Sequence, residues 1–378
     1  MWHELTSDQQ LLRDTTARYL ADHVPLDRQR KNRDSAAGFE PAYWTGGAEL
    51  GWIMPLVSED MGGGSVSGRG IVDLSLIAYE FGRHSAPGPL VDCNVVASAL
   101  SDVGGEAHAD ALEAIMTSSA IASVCLGFAP WQQSGEATVT ITRDGEELVI
   151  QGAVKPVESA GQATYFLVSG RSDSGTTQVL VPASTSGVSI KNLKAIDVSR
   201  KFGAVTFDAV RVPASALVGA FGQAEAQMTE QVRNACVMLC AESVGAMESA
   251  FAMTTDWAFE RFTFGRALAS YQALKHRFAD MKSWLEASHA VCDSAADALA
   301  DGTSRAAETV SSAKAYIGEH GVELAQDCVQ IHGGIGVTYE HDLHFFLRRV
   351  TLNRLLYGTP GDHRRWLAQM QIDKEMAA

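Results

Sequence analysis

Apolar positions recur along the chain with three successive periodicities. Between residues 11 and 20 they fall near a 3.6-residue spacing, carried by Leu11, Leu12, Thr15, Ala17, Tyr19 and Leu20, and Pro25 closes the segment. A glycine-rich turn follows at 59–64. Residues 71–81 predict another helix, stopped by Gly82 and then Pro87 and Pro89. Near residue 120 the period drops to two. Residues 138–142 alternate, reach the hairpin signal Asp144-Gly145 and continue through 148–150, while 165–168, 177–181 and 204–207 predict further strands. Past residue 225 the helical period returns. Leu274, Phe278, Met281, Leu285, Cys292, Ala296 and Leu299 form one stripe, and Val310, Ala313, Ile317, Leu324 and Val329 form a second. The pattern therefore predicts an α+β protein: an N-terminal helical domain at 1–119, a central antiparallel β domain at 120–224 and a C-terminal helical bundle at 225–378.

Composition narrows the function classes. The 378 residues are 46% apolar, and 45 acidic against 30 basic side chains give a formal charge of −15. Neutralising nucleic-acid phosphates needs clustered Lys and Arg, so a nucleic-acid partner is not expected. No uninterrupted apolar run approaches bilayer length, and the opening residues lack the pattern of a charged stretch before an apolar one. A soluble, cytoplasmic protein is expected. Six scattered cysteines fit a reducing compartment. Cys236 and Cys240 lie one helical turn apart, as in half of a zinc site, but no second His/Cys pair completes it, so buried thiols are expected.

Two segments carry candidate chemistry. Residues 330–336, Gln-Ile-His-Gly-Gly-Ile-Gly, end a long predicted helix and let backbone approach a ligand, although a helix cap followed by a turn reads the same way. Residues 261–266, Arg-Phe-Thr-Phe-Gly-Arg, place a guanidinium, a hydroxyl and a glycine break between two helices. An Arg fork suits diphosphate oxygens, and an interhelical ion pair is the alternative.

In this order and architecture the two segments resemble the acyl-CoA dehydrogenase family. The resemblance extends through Leu50-Gly51-Trp52, residues 58–63, 80–83 with 87–90, 207–213 and 271–281. It implies an N-terminal helical domain, a β domain and a four-helix bundle, with FAD at a subunit interface. It also implies that Arg261, Thr263, Phe264, Gln272, Gln330, Gly333 and Gly334 reach the diphosphate and adenosine end of a neighbour's FAD. The other half of the family's site departs from the pattern. Phe128 and Ala129 stand where Thr and Glu hold the flavin ring, Pro156 takes the aromatic position, and Glu158 adds a negative charge there. Tyr357 occupies the usual position of the catalytic Glu, and Asn234-Ala235-Cys236 offers no carboxylate at the family's other base position. A phenol with pKa near 10 is a poor base at pH 7.

The resemblance thus implies a subunit of a heteromeric, FAD-dependent acyl-CoA dehydrogenase. A second acyl-CoA dehydrogenase subunit, in an α2β2 assembly, would supply ring pocket and base for an acyl-CoA thioester. Residues 340–344 and 358–365 resemble the steroid-degrading bacterial group, so a steroid-CoA is an expected substrate. Two alternatives stay open: an autonomous dehydrogenase with Glu242 as a relocated base, and a flavin-free scaffold or acyl-CoA-binding subunit. Glu340 is expected to be structural, and His332 to shape the pocket or pack rather than to transfer protons.

Overall fold

The computed structural model describes residues 4–32, 35, 38–128 and 137–377. Thr6 opens the first helix with a capping box: its hydroxyl accepts the Gln9 N–H while the Gln9 side chain accepts the Thr6 N–H. The helices α1 (Ser7–His23), α2 (Leu26–Asn32), α3 (Pro41–Glu49), α4 (Gly70–Arg83), α5 (Leu90–Val103) and α6 (Ala109–Met116) form the N-terminal part. Gly82 does not stop α4, which continues to Arg83. Its work is in packing. A Cβ on Gly82 would lie 1.8 Å from the Glu242 carbonyl oxygen, and one on Gly245 would lie 2.0 Å from that of Tyr79. The two glycines let α4 and α7 (Glu225–Glu260) touch backbone to backbone.

Seven strands separate the helical parts: β1 (Ala122–Leu126), β2 (Val139–Asp144), β3 (Glu147–Glu158), β4 (Tyr165–Ser172), β5 (Gly175–Pro182), β6 (Val188–Leu193) and β7 (Phe202–Pro213). They run in the order β1-β4-β2-β3-β7-β6, with β5 beside β4. The Asp144-Gly145 signal closes the β2–β3 hairpin, where Asp144 pairs with Glu147 and Gly145 takes φ +61°. The sheet is mixed rather than wholly antiparallel, because β1 runs parallel to β4 and β2 meets β4 in the same sense. In the β3–β7 ladder the register slips between Val154 and Val157. Pro156 sits inside that slip and has no N–H to give the ladder. Glu158, two residues on, closes the strand.

The remaining elements are a two-stranded hairpin, β8 (Phe262–Thr263) and β9 (Arg266–Ala267), and the helices α8 (Gln272–Ala300), α9 (Ala306–His332), α10 (Leu343–Leu355) and α11 (Pro360–Ala377). Helix α7 is long and apolar enough to cross a membrane, but 72% of its most apolar window is buried inside this fold. It is the central helix of one continuous core that joins both helical parts, from Trp44, Trp52 and Phe81 to Leu239, Val244 and Leu324. The sheet encloses a second core around Ile141, Ile150, Phe166 and Phe207. The seam between these two cores collects a group of buried charges.

Candidate functional site

Two regions hold the residues singled out from the sequence, and they differ in kind. The first lies at the ends of α7 and α9. Arg261 follows the last turn of α7, and its guanidinium sits 5.9 Å from the centre of the Trp257 ring. Its carbonyl accepts the Leu268 N–H at 2.9 Å, which closes the β8–β9 hairpin. Thr263 is held from behind by the Tyr271 hydroxyl, which donates to its carbonyl at 2.8 Å. Phe264 at the hairpin tip is 99% exposed with φ +49°, beside Gly265 at +81°. Gln272 opens α8 and pairs with His276 at 3.2 Å.

Helix α9 ends at His332, and Gly333 turns the chain with φ +66°. His332 stacks on Trp257 with ring centres 5.2 Å apart, which brings the glycine turn beside Arg261. Gln330, Gly333, Gly334, Arg261 and Gln272 are all exposed. Around them Phe262, Ile335 and Val337 also face outward. Glu340 is exposed and contributes only its carbonyl, which accepts from Arg30. Six of the seven residues expected to meet a cofactor thus lie open on the surface. Thr263 is half-buried.

The second region is the seam between the cores, and it is closed. Arg200 lies just before β7. It grips Glu158 with two parallel bonds, from Nε to Oε1 at 2.6 Å and from Nη2 to Oε2. Its Nη1 donates to Glu242 Oε2 at 3.3 Å and to Asn353 Oδ1 at 2.8 Å. Arg349, fully buried on α10, spends every donor group in the same place. Nε donates to Asp197 at 2.6 Å, Nη1 to Glu242 Oε1 at 2.6 Å, and Nη2 to the Ser85 and Ala86 carbonyls and the Ser199 hydroxyl. These two guanidiniums join the N-terminal helices, the sheet and the C-terminal helices through one network.

Glu242 is consequently no free base. Its carboxylate accepts from Arg349, Arg200 and Asn353 at once, and the side chain is only 8% exposed. Nor does Glu158 stand as a bare negative charge, because Arg200 pairs with it. Both expectations are corrected by the same cause, a guanidinium supplied from distant sequence. Burial would raise the Asp197 carboxyl, but Arg349 beside it and two bonds from Ser199 outweigh that and hold it below the ordinary range.

Tyr357 also faces this seam. Lys314, buried on α9, donates to the Asn353 carbonyl at 2.8 Å and that of Gly358 at 3.1 Å, which caps α10. Past that cap Tyr357 takes φ +55°, and its hydroxyl donates to Asp92 Oδ1 at 3.0 Å. Burial, then the Asp92 charge, pushes the phenol well above its usual pKa. Asp92 also accepts the Val124 N–H at 3.0 Å. Its carboxyl is pushed up to about 7, first by burial and then by Glu158.

Phe128 lies under the Arg171 guanidinium at 4.2 Å, while Ala129 and Pro130 fall outside the described residues. Cys236 is buried, with its sulfur 3.9 Å from His363 Nε2. Sequence reasoning missed Asp92, Asp197, Arg200, Arg349 and Asn353. One signal was available. Glu242 sits alone in the middle of a long apolar run, and a charge there requires a buried partner.

Comparison with known proteins agrees with this architecture. Sequence-family models for the acyl-CoA dehydrogenase N-terminal and C-terminal domains match residues 6–118 and 225–371. The chain belongs to the acyl-CoA dehydrogenase family. It is 25% identical to acyl-CoA dehydrogenase IpdE2 of Mycolicibacterium smegmatis over 364 residues, 96% of this chain and 98% of that one. A variant of the Tcur3481-Tcur3483 steroid ACAD superposes with TM-score 0.87 at 25% identity, covering 98% of this chain and 99% of the other. The glutaryl-CoA dehydrogenase of Mycobacterium smegmatis, solved with FADH2, shares the fold with TM-score 0.85 at 17% identity over 97% and 95% of the two chains. Members of this family are flavin oxidoreductases.

Proposed function

We propose that the chain is one subunit of a heteromeric, FAD-dependent acyl-CoA dehydrogenase, acting in the cytoplasm. It would present the diphosphate and adenosine half of an inter-subunit FAD site from its C-terminal helical domain, beginning near residue 225. A second subunit, as in an α2β2 assembly, would hold the ring, the base and the thioester. The carrying observation is the asymmetry between the two regions. Arg261, Thr263, Phe264, Gln272, Gln330, Gly333 and Gly334 lie at one solvent-facing surface, whereas Glu158 and Tyr357, at the ring side of the family's pattern, are locked into a buried ion network.

The exposed half fits a dinucleotide. Built Cβ atoms on Gly265, Gly333 and Gly334 meet nothing within 4 Å, so backbone there is open to a ligand. Arg261 can pair with diphosphate oxygens while its flat face stays on Trp257. Thr263 offers a hydroxyl, and Gln272 and Gln330 offer amides, to ribose or phosphate oxygens. Bound FAD would supply the hydride acceptor for the β carbon of an acyl-CoA. The chain's own residues would bind and orient that cofactor, and Glu158, Glu242 and Tyr357 are each engaged by the seam network rather than free to remove the α proton.

The paired designation of the steroid ACAD neighbour supports a two-chain assembly and a steroid-CoA substrate. The binding of Glu242 by two guanidiniums argues against an autonomous enzyme that uses it as base. Native mass spectrometry and the flavin spectrum test the reading. The chain alone is expected to be colourless and to gain flavin when a partner subunit is co-expressed. A homotetramer with one FAD per chain overturns it.

A further inference from the structure

Two buried nitrogens beside the glycine turn have no hydrogen-bond partner: Trp257 Nε1 and His332 Nε2. Their chemistry is fixed by the surroundings. His332 Nδ1 lies 2.8 Å from the Cys328 carbonyl, an acceptor only, so Nδ1 carries the proton and Nε2 of the neutral ring is left with a lone pair. The indole Nε1–H can only donate. The two atoms cannot satisfy each other, because the rings stack at 19° with centres 5.2 Å apart. In a near-parallel stack each nitrogen directs its bond within its own plane, away from the other ring. One donor and one acceptor are therefore held side by side without partners.

The stack also sits between groups that face a ligand. Arg261 lies over Trp257, and Gly333 and Gly334, with open space about them, follow directly on His332. His341 packs edge-on against His332 at 4.4 Å and has its own Nδ1 engaged by the Leu343 N–H. Burying polar groups without partners is unfavourable, and such groups persist where a bound molecule completes them.

We infer that Trp257 and His332 are positioning residues for the adenosine half of the dinucleotide, with Trp257 donating to, and His332 accepting from, its ribose hydroxyls or adenine edge. A ribose diol offers both an acceptor and a donor, as the pair requires, and so does adenine through N1 and its amino group. This inference rests on the flavoprotein reading above.

It makes a demand of opposite sign on ligand and fold. Trp257→Phe removes only an unpaired polar atom from the free chain, so the melting temperature of the flavin-free assembly should stay level or rise, whereas His332→Phe also gives up the Nδ1 bond to Cys328 and should lower it slightly. Affinity for FAD, followed by flavin fluorescence in the assembly as purified and stripped, should fall about tenfold for His332→Phe and by a smaller factor for Trp257→Phe. ADP, which carries the adenosine half alone, should lose the same factor as FAD. His332→Gln keeps an acceptor and should restore most of the affinity. A merely structural pair would show reduced melting temperature with the ADP affinity of the folded fraction unchanged, and that result overturns the inference. So does an unaltered affinity for both ligands in both Phe variants, which leaves the flavoprotein reading intact. A wild-type assembly that binds neither FAD nor ADP overturns both.

Discussion

The two regions around α7 are built from the same residue types, arginines, carboxylates and aromatic rings, yet they behave as opposites. At its C-terminal end Arg261 is exposed, rests on one ring and pairs with no carboxylate in any bond described above. In its middle, Glu242 lies between Arg200 and Arg349, and every donor group of Arg349 is used. An exposed cation can exchange water for a phosphate at little penalty, whereas a buried one is immobilised by the carboxylates that permit its burial. The comparison teaches that the charge pattern of a site tells whether it awaits a ligand or has already been filled by the protein.

The strongest way to break the contrast is to unbalance the seam. Arg349→Met leaves Asp197 and Glu242 buried without their main cation and should cost about 3–5 kcal/mol, read from urea denaturation of the chain. A loss below about 1 kcal/mol would mean that the seam is not the junction described. Arg261→Ala should show the reverse behaviour. Stability should stay within about 0.5 kcal/mol of wild type, while FAD affinity of the assembly drops roughly ten- to a hundredfold for the lost charged contact.

Acidity sharpens the seam further. Asp92 titrates near 7 in the fold against an ordinary value of 3.8, so between these the folded chain holds a proton that the unfolded chain has released. That contribution is full below about pH 4 and is lost as pH rises through 7. Relative to wild type, Asp92→Asn should therefore gain stability with rising pH, by up to roughly 4 kcal/mol between pH 4 and 8, in paired denaturation curves. Parallel curves for the two proteins would refute the raised carboxyl. The smallest effect belongs to Tyr357→Phe, which removes one bond to Asp92 and should cost about 1 kcal/mol. On the proposed reading dehydrogenation by the complex should be unchanged, because the phenol is tied to Asp92 and takes no proton; a large loss of kcat would place Tyr357 in the chemistry.

Much of this was legible beforehand because it is local. The change of period near residues 120 and 225, the Asp144-Gly145 hairpin and the glycine turn after His332 each depend on neighbours in sequence. The failures share a cause. Gly82 reads as a helix stop until α7 is beside it, and the β1–β4 pairing joins segments separated by two strands. Glu158 reads as a misplaced charge until Arg200 is brought to it from 42 residues away.

By itself the sequence determined the helix–sheet–helix order, the family and the set of residues proposed to bind the dinucleotide, since motifs and periodicities are properties of contiguous chain. Only the tertiary structure decided that Glu158, Glu242 and Tyr357 belong to a closed network, and that Trp257 Nε1 and His332 Nε2 stand unpaired beside the exposed glycine turn. Whether a charge is bare or matched is a question of distance in space, and the groups that answer it here, Asp92, Asp197, Arg200, Glu242 and Arg349, come from three separate parts of the chain.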